Sequence, residues 1–248
     1  MSEPVILLRD VTKAFGAKQV LRGVSLEVER GATVALLGAS GSGKSVTLKT
    51  VNGLIPPDSG EVTVLGHPVA TLTEQALAPL RRRVSYLFQG GALFDSMSVF
   101  DNVAYPLREH GRLDPGELRE RVAALLGVVR LDDVGSLQPS ELSGGMRKRV
   151  AMARALALEP EIMLYDEPTT GLDPVTGGAI ADLIVDLDRR FGVTSLVVTH
   201  DIPLVQRVAE RVVFLHDGAF IFSGSVEAAW REGPDPVREF FAAGGIHA

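Results

Sequence analysis

The chain has 248 residues, 46% of them hydrophobic and 23% charged, with no cysteine and a net charge of −6. Such a chain can bury a substantial core as one large domain or two lobes. The composition excludes disulfides and thiolate metal sites, and its acidic balance argues against nucleic acid as a partner. The start, Met1-Ser2-Glu3-Pro4, lacks the basic and apolar pattern of a secretory signal, and no stretch nears the roughly 18 apolar residues of a membrane span. A cytoplasmic location is expected, with any membrane role exerted through a partner.

In chain order, Val5–Leu8 and Leu21–Glu29 alternate as antiparallel strands do. Thr33–Leu37 reads as a buried strand running into Gly38, followed by a helix over Val46–Val51 that Gly53 closes. Val62–Val64 is a further short strand, and Val84–Phe88 a buried one ending at Gln89. Asp114-Pro115-Gly116-Glu117 carries the marks of a helix start: a capping acid, proline at the first helical position and a glutamate reaching back. Leu142-Ser143-Gly144-Gly145-Met146 opens another helix, whose first turn holds Arg147, Lys148 and Arg149. Ile162–Tyr165 ends at Asp166-Glu167, and Ser195–Thr199 at His200. Ser225 caps Val226–Glu232 before Gly233, and Asp235-Pro236 starts a last helix that ends at Gly244-Gly245. Short apolar strands alternating with helical patterns predict an α/β fold with a parallel sheet, its core drawn from both ends of the chain. A mostly helical lobe is inserted between. The divisions expected are 1–89 with 161–228 for the core, 90–160 for the helical lobe and 229–248 for a helical tail.

Four strands deliver a polar residue or a glycine loop at the same sheet edge, where ligands bind in such folds. Gly38-Ala39-Ser40-Gly41-Ser42-Gly43-Lys44-Ser45 matches the phosphate-loop pattern. Its glycines let backbone N–H groups wrap phosphates, Lys44 neutralises the β and γ oxygens, and the Ser45 hydroxyl ligates Mg²⁺. Asp166 at a strand end is placed to hold the same Mg²⁺. Glu167, on the other face of an extended chain, addresses the attacking water. Gln89 can reach the metal or the water, and His200 can donate to a γ-phosphate oxygen. Phe15 either stacks on adenine or packs in the core. The cluster of cations after Ser143 is odd, because a helix N-terminus is already electropositive. A hydroxyl, two glycines and three cations there make sense if a phosphate docks against that turn.

Taken together, the phosphate loop, Gln89, Leu142–Met146, Ile162–Glu167, Gly171-Leu172-Asp173 and Thr199-His200-Asp201 resemble the nucleotide-binding subunits of ABC transporters in order and spacing. The resemblance covers roughly residues 4 to 228. It implies a RecA-like phosphate-loop NTPase core with a mixed sheet, an antiparallel β subdomain and an inserted helical subdomain. It further implies ATP and Mg²⁺ as cofactors and a head-to-tail dimer. In that dimer Ser143, Gly144 and Gly145 of one copy clamp the ATP held by Lys44 and Val46 of the other, with Asp173 at the seam. Two positions depart from the pattern: Met146 stands where glutamine is common, and Val46 where a second hydroxyl is frequent.

Residues Phe88–Phe94, Val99–Arg108 and Pro139–Arg147 further resemble the MlaF-type ATPases of MCE-linked phospholipid transport. That resemblance implies a peripheral subunit at the cytoplasmic face of the inner membrane. Its partners would be a multi-span permease, a periplasmic MCE-domain lipid-binding protein and a STAS-domain regulator. The alternatives are the ATPase of another bacterial ABC system, such as one for small solutes or solvent tolerance, and a soluble ABC ATPase of DNA repair or translation. The second would need a long heptad insertion or two fused engines, and this chain shows neither.

Overall fold

The computed structural model describes residues 3–111 and 113–245, so the outermost residues of the expected 1–89 and 229–248 segments lie outside the described residues. Two strands open the chain, β1 (Ile6–Phe15) and β2 (Lys18–Val28), followed by β3 (Thr33–Leu37), α1 (Lys44–Val51), β4 (Ser59–Val64) and the two-residue β5 (His67–Pro68). Next come α2 (Glu74–Arg83), β6 (Val84–Leu87), α3 (Val99–His110), α4 (Pro115–Val128) and α5 (Gly144–Leu156). The remainder runs β7 (Ile162–Asp166), α6 (Pro174–Phe191), β8 (Thr194–Val198), α7 (Ile202–Val208), β9 (Arg211–His216), β10 (Ala219–Gly224), α8 (Val226–Glu232) and α9 (Asp235–Ala243).

Strands β2-β1-β4-β5 form an antiparallel sheet, and β10-β9-β3-β8-β7-β6 form a second sheet. The pairs from β9 through β6 are all parallel, and β10 adds an antiparallel edge. Strand β7 shows why the inner strands β3, β7 and β8 of the larger sheet are buried along their whole length. Ile162 and Leu164 join the core shared with α1 and the antiparallel sheet, while Met163 and Tyr165 face the core built by α3 to α7. A strand covered on both faces reads as a continuous apolar run, and its alternate side chains enter different cores. A third, smaller core buries Val237 and Phe241 of α9 against Leu37, Phe214 and Ile202.

The expected α/β fold with a mixed sheet and an antiparallel sheet is the one observed. In the larger sheet boundaries move by a residue: β6 stops at Leu87, β7 extends through Asp166, and β8 covers Thr194–Val198. In the antiparallel sheet β1 runs on to Phe15, β2 starts at Lys18 and β4 at Ser59. The expected caps form at Asp114, with a complete capping box to Glu117, and at Ser225, whereas α9 begins at Asp235 behind Pro234 with no side-chain cap. Unforeseen was the β9–β10 hairpin, turned at Asp217 and Gly218, which both have positive φ. Asp-Gly between apolar runs is a strong hairpin signal, because a tight two-residue turn needs φ > 0 at both positions. Helices α2, α6 and α7 have no counterpart among the expected elements, and α3 falls within the lobe expected to be helical without a start of its own. Among the described residues, no helix is long and apolar enough to cross a membrane.

Candidate functional site

The phosphate loop joins the fully buried β3 to α1 and sits on the carboxyl edge of the parallel sheet. Gly38 must be glycine: a Cβ there would stand 2.3 Å from the carbonyl oxygen of Leu215 on β9. The Lys44 side chain is 6% exposed and folds back over the loop, donating to the carbonyls of Gly38 at 2.8 Å and Ala39 at 3.0 Å. Burial pulls its pKa below the ordinary lysine value, opposed by the Glu167 and Asp166 carboxylates. The Ser42 hydroxyl is buried in the same loop without a hydrogen-bond partner among the described residues. A buried, unpaired hydroxyl is costly, and a phosphate oxygen would satisfy it.

Asp166 ends β7 beside the loop. One of its carboxylate oxygens accepts from Ser45 Oγ at 2.7 Å and the other from Tyr86 Oη at 2.7 Å. Burial, and then that carboxylate, push the Tyr86 phenol well above its usual range, so it stays a donor. Hydroxyl and carboxylate oxygens are the hard donors that Mg²⁺ takes alongside substrate phosphates. Ser45 and Asp166 therefore suit that ion.

Glu167 is not extended. Its φ of 51° is left-handed, so the chain turns sharply just after β7. The turn replaces the extended geometry expected at this residue. The Glu167 carboxylate lies 2.9 Å from His200 Nδ1 and 3.9 Å from Lys44 Nζ. Thr170 Oγ1 donates to it at 3.1 Å and Thr199 Oγ1 at 3.4 Å. A buried carboxylate held by a histidine and two hydroxyls at the mouth of a phosphate loop is furnished to orient a water.

These residues line one cleft. Ala39, Ser40, Gly41, Gly43, Lys44, Ser45, Val46, Gln89, Glu167 and His200 share it with Phe15, which is 50% exposed at the cleft and so is not a core residue. Lys18, Val20 and Phe240 also border the cleft, beyond the residues expected there. Phe240 comes from the tail helix α9, set edge-on to Phe214 at 5.1 Å. Only the pairing of Phe214 with Leu37, next to Gly38, makes the two meet.

The second motif is elsewhere. Ser143 is exposed and caps α5, accepting from Met146 N at 3.2 Å. Neither Ser143, Gly144 nor Gly145 lines the cleft that holds Lys44. A Cβ on Gly145 would stand 2.5 Å from Thr176 Cγ2, so this turn packs directly on the start of α6. Asp173 caps that helix, taking Val175 N and Thr176 N at 3.0 Å and Thr176 Oγ1 at 2.6 Å. The Thr176 hydroxyl is the main cause of its lowered pKa. The expectation that three cations face one phosphate at this turn fails. Arg147 bends back to the Leu142 carbonyl at 2.7 Å, and Lys148 is buried toward Gln89 and Glu167. Consecutive helix positions point about 100° apart, so three in a row cannot share a target. Met146 packs partly buried against the helical core, which accounts for an apolar residue there.

Residues 21–170 match the family model described as ABC transporter. The chain is 44% identical over 234 residues to the intermembrane phospholipid transport system ATP-binding protein MlaF of Escherichia coli K12, covering 94% of this chain and 87% of that protein. It is 39% identical to the methionine import ATP-binding protein MetN of Brucella abortus, covering 96% of this chain and 64% of MetN. Among solved structures, it superposes on the dimeric, post-hydrolysis ATP-binding cassette MJ0796 bound to ADP and Pi with a TM-score of 0.83. Sequence identity to that cassette is 34%, and the match covers 89% of this chain and 98% of that one. With the phosphate loop, the carboxylate pair and the fold in agreement, the chain belongs to the ABC transporter family and is an ATP-binding, ATP-hydrolysing subunit of it.

Proposed function

We propose that this chain is the Mg²⁺-ATP motor of a phospholipid transport complex, working as a head-to-tail pair of copies beneath a membrane permease. The observation that carries the ATPase chemistry is the meeting of Lys44, the Ser45–Asp166 pair and the Glu167–His200 pair at one cleft. Residues 1–89 and 161–228 serve as the ATP-binding core and 90–160 as the lobe that carries the signature turn.

In this reading Phe15 stacks on adenine, and the main-chain N–H groups of Gly38 to Val46 wrap the phosphates. Lys44 leaves its loop carbonyls to neutralise β and γ oxygens. Ser45 and Asp166, with Gln89 close by, would hold Mg²⁺, which would supply charge neutralisation to the phosphates. Glu167 orients and deprotonates the attacking water. His200 donates to a γ-phosphate oxygen. A neutral imidazole has one N–H, so His200 can serve Glu167 and the phosphate as donor together only when doubly protonated. Ser143, Gly144 and Gly145 complete the site of the second copy, with Asp173 at the seam. Ser143 and Asp173 are exposed, and none of the four lines its own chain's cleft, which supports that role.

Phospholipid as cargo rests on the MlaF relatives at 44% and 39% identity, of Escherichia coli and Haemophilus influenzae. A periplasmic MCE-domain protein, a STAS-domain regulator and a place at the cytoplasmic face of the inner membrane follow from the same reading. Methionine import is the second reading, favoured by the MetN relative. Glu167→Gln should keep ATP binding and lower turnover by about a hundredfold or more. Undiminished phosphate release by that variant would remove Glu167 from its role. Mass spectrometry of lipids bound to the intact complex tests the cargo: phospholipid is expected, and a lipid-free complex that takes up methionine would decide for the second reading.

A further inference from the structure

A lysine ammonium held away from water needs a reason, and the described residues contain two such lysines, Lys44 and Lys148. Phosphate accounts for Lys44. Lys148, 6% exposed, sits in the second turn of α5 with its Nζ donating to the main-chain carbonyls of Gln89 and, at 3.3 Å, Glu167. Burial lowers its pKa, while the Glu167 and Asp166 carboxylates oppose that shift.

Both carbonyls belong to chain that has just left the sheet. Gln89 lies beyond the end of β6, and Glu167 follows β7 in a left-handed conformation that side-chain-bearing residues keep only when their surroundings impose it. Helix α5 fastens the same region further along. Arg154 Nη2 donates to the carbonyls of Gly91 and Ala92 at 2.9 Å each. The fully buried Asn102 of α3 holds both the N–H and the carbonyl of Phe94. The segment after Gln89 is thus tied to the helices side chain by side chain.

We propose that Lys148 is a positioning residue of the hydrolytic site. Its ammonium joins the main chains of Glu167 and Gln89, and so sets where the Glu167 carboxylate meets the attacking water. The inference rests on the role proposed above for Glu167 and deepens it. It also gives the signature turn a route inward. Ser143 caps the helix that carries Lys148, five residues or about 7.5 Å away along the axis. A shift of that turn on meeting a nucleotide then moves Glu167 of the same chain through one rigid element.

The test is phosphate release by the full-length chain over a range of ATP concentrations, with thermal unfolding of each variant. Lys148→Met keeps the length of the side chain and loses its donors. Its kcat should fall at least about tenfold, since a misplacement of an ångström can cost about a hundredfold, while KM for ATP stays within about twofold. Lys148→Gln, with one amide for two carbonyls, should lie between, about two- to fivefold down in kcat. A Lys148→Met kcat within about twofold of the parent overturns the proposal, as does a loss of kcat that is matched by KM and melting temperature. If Lys148→Met does not fold, Lys148→Gln decides: an unchanged kcat overturns the proposal. Glu167→Gln measured beside them separates the two readings. If it turns over freely, the role of Glu167 fails and Lys148 with it. If it stalls while Lys148→Met is unimpaired, Lys148 alone fails.

Discussion

Lys44 and Ser143 stand at the starts of two helices of one chain and are furnished in opposite ways. Lys44 is buried, bonded to two loop carbonyls and faced by two carboxylates of its own chain. Ser143 is exposed and bonded to the first turn of its own helix, while Arg147 is bonded to the Leu142 carbonyl and Lys148 turns inward. The first is a site assembled before a ligand arrives. The second offers a hydroxyl and the electropositive end of α5 outward, with no target in its own cleft. Preorganisation at one end and exposure at the other is what an active site divided between two copies requires.

Ser143→Arg attacks the outward end. Turnover should fall by about a hundredfold, the scale of losing a donor to transition-state charge. ATP affinity of the isolated chain should stay within about twofold, as read by nucleotide titration. Equal losses in both would place this turn in the same site as Lys44 and erase the contrast. Lys44→Met attacks the inward end. ATP affinity of the isolated chain should weaken about ten- to a hundredfold, the cost of a charge-assisted bond to phosphate. Unchanged affinity would mean that the loop is not where nucleotide is held.

The smallest expected effect lies at the opposite edge of the sheet. Asp188 of α6 accepts from Thr33 Oγ1 at 2.8 Å and Ser195 Oγ at 2.7 Å, where β3 and β8 begin. Those bonds favour its charged form, but burial outweighs them and raises its pKa to about 6. A group whose folded pKa is raised stabilises the fold in its protonated form. That contribution is full below about pH 4 and lost as pH rises through about 6. Asp188→Asn removes the titration, so its stability relative to the parent should improve by about 2 kcal/mol between pH 4 and pH 7. Urea unfolding at a series of pH values checks this; parallel profiles would refute it.

Much of the catalytic edge was legible, because the chemistry sits at the ends of apolar runs and each run is a strand. Lys44, Ser45, Glu167, Gln89 and His200 line one cleft, and Asp166 is joined to it through the Ser45 hydroxyl. Tyr86 could have been found, since it stands one strand over from Asp166 and shares its edge. The β9–β10 hairpin is legible too, in Asp217-Gly218 between two apolar runs. Phe240 was not legible, as its place depends on how α9 docks across a third core. Nor was the direction of Lys148. Three cations in a row look like one patch until the helix turn sends the middle one inward and fastens it to two main-chain carbonyls.

The packing of Gly145 on Thr176 links two positions that lie far apart in the chain. The space for a residue at 145 is set by a single methyl group, Thr176 Cγ2. Serine at 176 would remove that methyl and keep the hydroxyl that Asp173 accepts. In divergent copies of this chain, anything larger than glycine at 145 should therefore arise only after 176 has shrunk. The order of the two substitutions, and not only their identity, is written into the fold.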